Sequence, residues 1–171
     1  MKMSVKCALG KNTVVISKEE IGKILFPKGR MLLLDQVIIT DGFAVGEFTV
    51  PIENCEGHEP IPNMPVMRGV EIPEMAFQLL GIFLSQDPGL FNELKGKVCV
   101  AREITSSKFM GFIRPGDKLV LKTKTDIDID NVGKTSRIES SVMVARVGGE
   151  KKCIISSVAI VAFNPDSIKA V

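Results

Sequence analysis

"VEIPEMAFQLLGIFLS", residues 70–85, is the stretch whose reading decides the fold. On a 3.6-residue period, Ile72, Met75, Ala76, Leu79, Leu80, Ile82 and Phe83 cover most of the circumference of one long helix. Pro73 falls in its first turn, where the missing N–H is harmless because that donor has no intrahelical partner. A helix so nearly apolar needs burial on every side. The residues that interrupt it, Glu71, Glu74, Gln78, Gly81 and Ser85, recur at steps of three and four and form one stripe. Two readings of the stripe are open. It faces solvent, or it faces a narrow cavity, where Glu and Gln are too costly to bury without a partner or a task.

The flanking sequence supplies the cover such a helix requires. "SKEEIGKIL" opens with Ser17 and Glu20 in capping-box spacing and predicts a short helix. "MLLLDQVIIT" and "FAVGEFTVPI" flank the turn signal Asp41-Gly42, which predicts a hairpin over residues 32–52. After the central helix, "GKVCVAREI", "SKFMGFI", "KLVLKTKTDIDI", "TSRIESSVMVARV" and "KKCIISSVAIVAF" read as strands. The third alternates strictly from Leu119 to Ile129. Turns are expected at "RPGD", "DNVGK" and "GGE". One long central helix wrapped by an antiparallel sheet of about six strands is an α+β fold of the hot-dog kind, with residues 1–171 as a single domain.

Composition narrows the function. The chain has 171 residues, is 45% hydrophobic and 25% charged, and carries a net charge of +2. That balance gives a real core and no basic footprint for nucleic acid. No apolar run reaches membrane-spanning length, and the N-terminus lacks the apolar core of a signal peptide. Cys7, Cys55, Cys99 and Cys153 have no metal-ligand spacing and are expected as reduced thiols in a cytoplasmic protein.

The one histidine, His58, stands just upstream of the long helix, after which Pro60, Pro62 and Pro65 impose an irregular loop. A lone loop histidine is most often an exposed bystander. It makes no zinc site with this cysteine spacing, and there is no G-x-S-x-G element for a serine triad. Paired with Glu74, however, it makes an acid–base couple. Gly69 sits where the helix starts, and an N–H there, backed by the helix dipole, polarises a carbonyl. A base, an acid and an amide donor suit loss or addition of water across the α and β carbons of an acyl thioester.

At these residues the chain resembles the bacterial β-hydroxyacyl-acyl-carrier-protein dehydratases of the FabZ/FabA kind. "GHEP" followed by "MPVMRGVEIPEMAFQ" matches the family's G-H-F-P-x-x-P-V-M-P-G-V-L-x-x-E-A-x-x-Q signature. "PKGRMLLLDQV" and "SKFMGFIRPGDKLVL" match two further family blocks in the same order, so the likeness runs from about Ile21 to Leu121. The resemblance implies His58 and Glu74 as catalytic residues and Gly69, Gln78, Val66 and Phe77 as substrate-binding residues. It implies a homodimer, or a trimer of dimers, in which the histidine of one subunit works with the carboxylate of the other. The acyl chain would lie in a tunnel beside the helix, its depth set by residues such as Phe77, Leu80, Phe83 and Leu84. The substrate would arrive on the phosphopantetheine arm of acyl carrier protein, with no metal and no dissociable cofactor. A non-catalytic acyl-binding protein and a hot-dog thioesterase are the alternatives. Lys108, Arg102 and Arg114 are positioned in sequence to meet an acidic carrier protein, although ordinary solvated charge is the preferred reading.

The chain departs from the signature in one region. "EPIPNM" makes the loop after His58 two residues longer. Glu59, Arg68 and Glu71 place charge where the family has an aromatic residue, proline and leucine. Glu71 lies one turn before Glu74, so like-charge repulsion between them, or an ion pair of either with Arg68, is open at this point.

Overall fold

The structure, a computed structural model, describes residues 2–6, 13–40, 43–86, 88, 92, 94–124, 126–132, 135–140 and 142–165. The short helix α1 (Lys18–Ile24) begins as its capping box dictates. The Glu20 carboxylate accepts from the Ser17 N–H at 2.8 Å, and the Glu20 N–H donates to Ser17 Oγ at 3.4 Å. The central helix α2 (Glu71–Gln86) lies one residue later than the periodicity suggests, with Pro73 in its first turn.

Twelve strand segments surround it among the described residues, not about six. They are β1 (Lys2–Lys6), β2 (Val14–Ser17), β3 (Gln36–Thr40), β4 (Phe43–Thr49), β5 (Val98–Ile104) and β6 (Ser107–Phe109). The rest are β7 (Lys118–Lys124), β8 (Asp126–Val132), β9 (Thr135–Ser140), β10 (Met143–Val147), β11 (Glu150–Ile155) and β12 (Val158–Phe163). All pairs are antiparallel, in a five-stranded order β1-β8-β9-β12-β5 and a seven-stranded order β2-β3-β4-β7-β10-β11-β6.

Most of the larger number has one cause, and β1 and β2 are additional strands. β5–β6, β7–β8, β9–β10 and β11–β12 are successive halves of long runs, and the halves keep the same neighbours in both sheets. One sheet is thus folded along a line. At that line Thr105 and Ser106 face Ser157 and Ser156. Backbone bonds at 3.2 Å and 3.0 Å continue the ladder, and hydroxyl pairs at 2.8 Å and 2.6 Å accompany it. The inward parity flips there. Cys153 and Ile155 are buried before the bend, and Val158, Ile160 and Ala162 after it. The same switch separates Ser136, Ile138 and Ser140 from Met143 and Ala145. The hairpin expected over residues 32–52 is present as β3 and β4, paired from Gln36↔Glu47 to Thr40↔Phe43, while the Asp41-Gly42 turn lies outside the described residues.

The fold encloses α2 as its composition demands. Leu79, Ile82 and Phe83 are buried with Ile39, Phe48, Leu119, Ile138 and Ile160 in one core. The "RPGD" turn pins the outer end of β7, and only glycine suits its φ of +85° at Gly116. Gly116 donates its N–H to Val50 O at 2.8 Å. Among the described residues no helix is long and apolar enough to cross a membrane. Cys55, Cys99 and Cys153 are free thiols, and Cys7 lies outside the described residues.

Two outcomes follow from this packing. Leu79→Ala leaves a void against both the helix and β4, and should cost about 2–5 kcal/mol in chemical denaturation. A loss below about 1 kcal/mol would mean that this face of α2 is not enclosed. Burial pushes the Cys153 thiol from its ordinary 9.0 up to about 11. The folded-state value is the higher, so this contribution is complete below the unfolded value and is lost as pH rises from 9.0 to about 11. Denaturation curves across that window should fall more steeply for the parent protein than for Cys153→Ala.

Candidate active site

The N-terminal turn of α2 and the loop before it bring the conspicuous polar residues into two neighbouring arrangements. The first is the helix stripe. Glu74, Gln78, Gly81 and Ser85 all line one mostly apolar cavity of about 530 Å³, so the stripe faces a cavity. Phe77 and Leu84 flank them on the same wall. Leu80 and Phe83, expected beside the acyl chain, do not line it. They lie on other faces of the helix, inside the core.

Gln78 explains how a polar side chain only 3% exposed is tolerated here. Its Oε1 accepts from the Leu33 N–H at 3.0 Å. Its Nε2 donates to Met31 O at 2.7 Å and to Glu74 Oε1 at 2.9 Å. One amide therefore ties α2 to the segment leading into β3 and fixes the carboxylate one turn back. Glu74 keeps its other carboxylate oxygen for the cavity.

The second arrangement is the loop carrying His58. The imidazole is half-buried, with Nδ1 at 3.0 Å from the Val66 carbonyl. A carbonyl only accepts, so Nδ1 is the donor, and in the neutral ring Nε2 is then the nitrogen with the lone pair that a base needs. The backbone repeats the contact, with the Val66 N–H donating to His58 O at 3.1 Å. Val66 itself is buried, and the contact it offers is this carbonyl. The two extra residues of the loop do not reach this neck. They are taken up in a closed turn, where the Met64 N–H donates to Ile61 O at 3.0 Å and Asn63 adopts φ +59°.

Past Val66 the chain docks on the segment after β6, with the Met67 N–H donating to Ile113 O at 2.8 Å. Gly69 then passes under the Phe109 ring. A Cβ at that position would meet Phe109 Cδ1 at 3.1 Å, so the site favours glycine by close approach. Among the described residues no acceptor meets the Gly69 N–H. Of the two pairings open for Arg68, the structure selects Glu71. Arg68 Nε lies 3.2 Å from Glu71 Oε1, and buried Asn54 donates to Glu71 Oε2 at 2.7 Å. Glu71 thus leaves the stripe and locks the loop onto the helix, while Glu74 pairs with no cation among the described residues.

Within the chain, His58, Val66 and Gly69 do not line the cavity that Glu74 and Gln78 line. The cavity's other wall was not legible in the motifs. It comes from Leu25, Phe26 and Pro27 after α1, and from Lys97, Cys99 and Ala101 at the start of β5. Phe26, 78% exposed at the end of a helix and before a proline, was the available sequence signal. Burial raises the Cys99 thiol pKa, against the pull of the Lys97 charge. Arg102, Lys108 and Arg114 are exposed.

The model of the FabA-like domain matches residues 26–157. A 3-hydroxyacyl-[acyl-carrier-protein] dehydratase FabZ from Ligilactobacillus salivarius is 37% identical over 138 residues, which are 78% of this chain and 90% of that protein. The FabZ of Latilactobacillus sakei is 31% identical over 144 residues, 81% of this chain and 94% of its own. Among solved structures, zebrafish thioesterase superfamily member 2 superposes with a TM-score of 0.55 at 11% identity, over 85% of this chain and 94% of its own, which bears on the hot-dog fold alone.

Gln78→Leu removes three hydrogen bonds and leaves the Leu33 N–H and the Met31 carbonyl without the amide that satisfied them. It should destabilise the fold by about 1–3 kcal/mol in urea titrations. An unchanged midpoint and slope would show that the amide does not hold this segment.

Proposed function

The chain belongs to the FabA-like domain family, and we propose that it is a (3R)-3-hydroxyacyl-[acyl-carrier-protein] dehydratase. The observation that carries this reading is the carboxyl group of Glu74, held by Gln78 on the wall of a mostly apolar cavity with no cation beside it among the described residues, in a chain whose FabZ relatives bear that activity in their names. In the proposed reaction the acyl chain lies along the α2 stripe. The free N–H of Gly69 receives the thioester oxygen. His58 Nε2 takes the α proton, and that electron pair forms the Cα–Cβ double bond. The Cβ–O bond breaks, the departing hydroxyl takes the Glu74 proton, and water leaves with a trans-2-enoyl thioester behind. The reaction as proposed uses no metal or organic cofactor.

Since His58 does not line the cavity of its own chain, the reading includes a homodimer in which each imidazole serves the partner's Glu74. Exposed apolar side chains support an interface. Val70, Phe109 and Phe112 are 71%, 48% and 50% exposed around Gly69, and β5 is a sheet edge. Carrier-protein delivery of the substrate and a cytoplasmic location belong to the same proposal.

The test is hydration of enoyl thioesters by purified protein, followed by loss of the enoyl absorbance. His58→Ala and Glu74→Gln should each lower kcat/KM by about 10²–10⁴ with the fold intact. Mixing the two variants under subunit exchange should restore part of the lost turnover, because one site of a mixed dimer is whole. Turnover equal in parent and His58→Ala sinks the proposal. Release of free thiol without loss of the enoyl signal would replace it with a thioesterase, and binding without any turnover with an acyl-binding protein.

A further inference from the structure

The α2 cavity does not stay apolar to its far end. From Glu74 to Ser85 the stripe runs eleven residues, about 16 Å of helix. β5 starts away from Gly69, because the chain runs from Val98 to Ile104 and on to Phe109, whose ring covers Gly69. Lys97, the residue before β5, lines the cavity together with Cys99, Val100 and Ala101 of that strand. Lys97 thus runs against the default for lysine, which is to leave a sheet on the solvent side.

Its ammonium is held in that inward position. Lys97 Nζ donates to Ser136 Oγ at 3.1 Å, and Ser136 is only 5% exposed. The register explains the reach. Ser136 on β9 and Cys99 on β5 both pair with Ala162 of β12, so the lysine stem crosses a strand whose side chain there is a single methyl. No carboxylate among the described residues pairs with Lys97. The neighbouring salt bridges go elsewhere, Glu103 and Glu139 both taking Arg137. Lys97 is thus a half-buried lysine of the cavity lining whose ammonium has one neutral hydroxyl as its partner among the described residues. Its charge also acts on the cavity thiol Cys99.

We propose that Lys97 is a specificity-determining residue and that the cavity takes acyl chains ending in a carboxylate at the end remote from the thioester. This rests on the reading of the cavity as the acyl site. An ω-carboxylate brings the counter-ion the ammonium lacks, and the Ser136 hydroxyl orients the pair. A methyl-ended chain of the same length would strip water from the ammonium and return nothing, so discrimination arises from the wrong substrate as well as the right one.

The experiment compares two trans-2-enoyl thioesters of equal length, one ending in a carboxylate and one in a methyl, with the intact protein. The parent should favour the carboxylate in kcat/KM by about tenfold to a hundredfold. The ratio should fall to about one or below in Lys97→Met and persist in Lys97→Arg. Because it is a ratio within one preparation, partial unfolding of a variant cancels. A parent ratio of one or less, or a ratio unchanged in Lys97→Met, overturns the inference while leaving the dehydratase reading standing. If neither thioester turns over, the dehydratase reading fails, and calorimetric binding of the same two thioesters decides this one. Carboxylate-selective binding lost in Lys97→Met sustains it, and equal binding overturns it.

Discussion

Burial of the central helix is the constraint from which the rest follows. Ten of the sixteen residues of α2 are buried, and each large apolar side chain among them contributes about 1.5–3 kcal/mol when withdrawn from water. A flat sheet covers one side of a helix. Covering the others requires the sheet to fold over, which the chain does along a line of paired serines and threonines. Once the apolar faces are spent on the core, the polar stripe is the face left over, and the space beside it is the cavity. The architecture and the site are consequences of the same pattern.

Two carboxylates one turn apart have been given different surroundings, and their tasks divide accordingly. Glu71 meets a guanidinium and an amide and becomes a clamp between loop and helix. Among the described residues Glu74 meets only the Gln78 amide, and it keeps an oxygen toward the cavity. The charges that distinguish this loop from the family signature are therefore largely absorbed in holding the loop. The imidazole beyond them is oriented by the backbone of Val66, which no side-chain substitution in the loop removes.

Much of this was legible in the residues, and the failures have physical reasons. The central helix, its first-turn proline, the capping box at Ser17 and the hairpin follow from local rules, and local rules suffice where the contacts are local. Strand number did not, because each run stays strand-like on both sides of a bend where the inward parity shifts by a single residue. The Ser-Ser pairs at residues 140–141 and 156–157 were the trace of it. Of the four residues expected along a tunnel, Phe77 and Leu84 line the cavity, and Leu80 and Phe83 do not. The inward Lys97 had no signal at all, since its position depends on a small residue in a neighbouring strand that is distant in sequence.

The closed turn from Ile61 to Met64 has a practical side. It stands beyond the neck formed by His58 and Val66, all of its residues but Met64 are exposed, and it closes on itself through a single backbone bond. Exposed tips of this kind tolerate added chain. A short epitope or fluorophore-binding peptide spliced at Pro62-Asn63 would decorate the rim of the proposed reaction centre without entering it, turning a departure from the family pattern into a handle for labelling that rim.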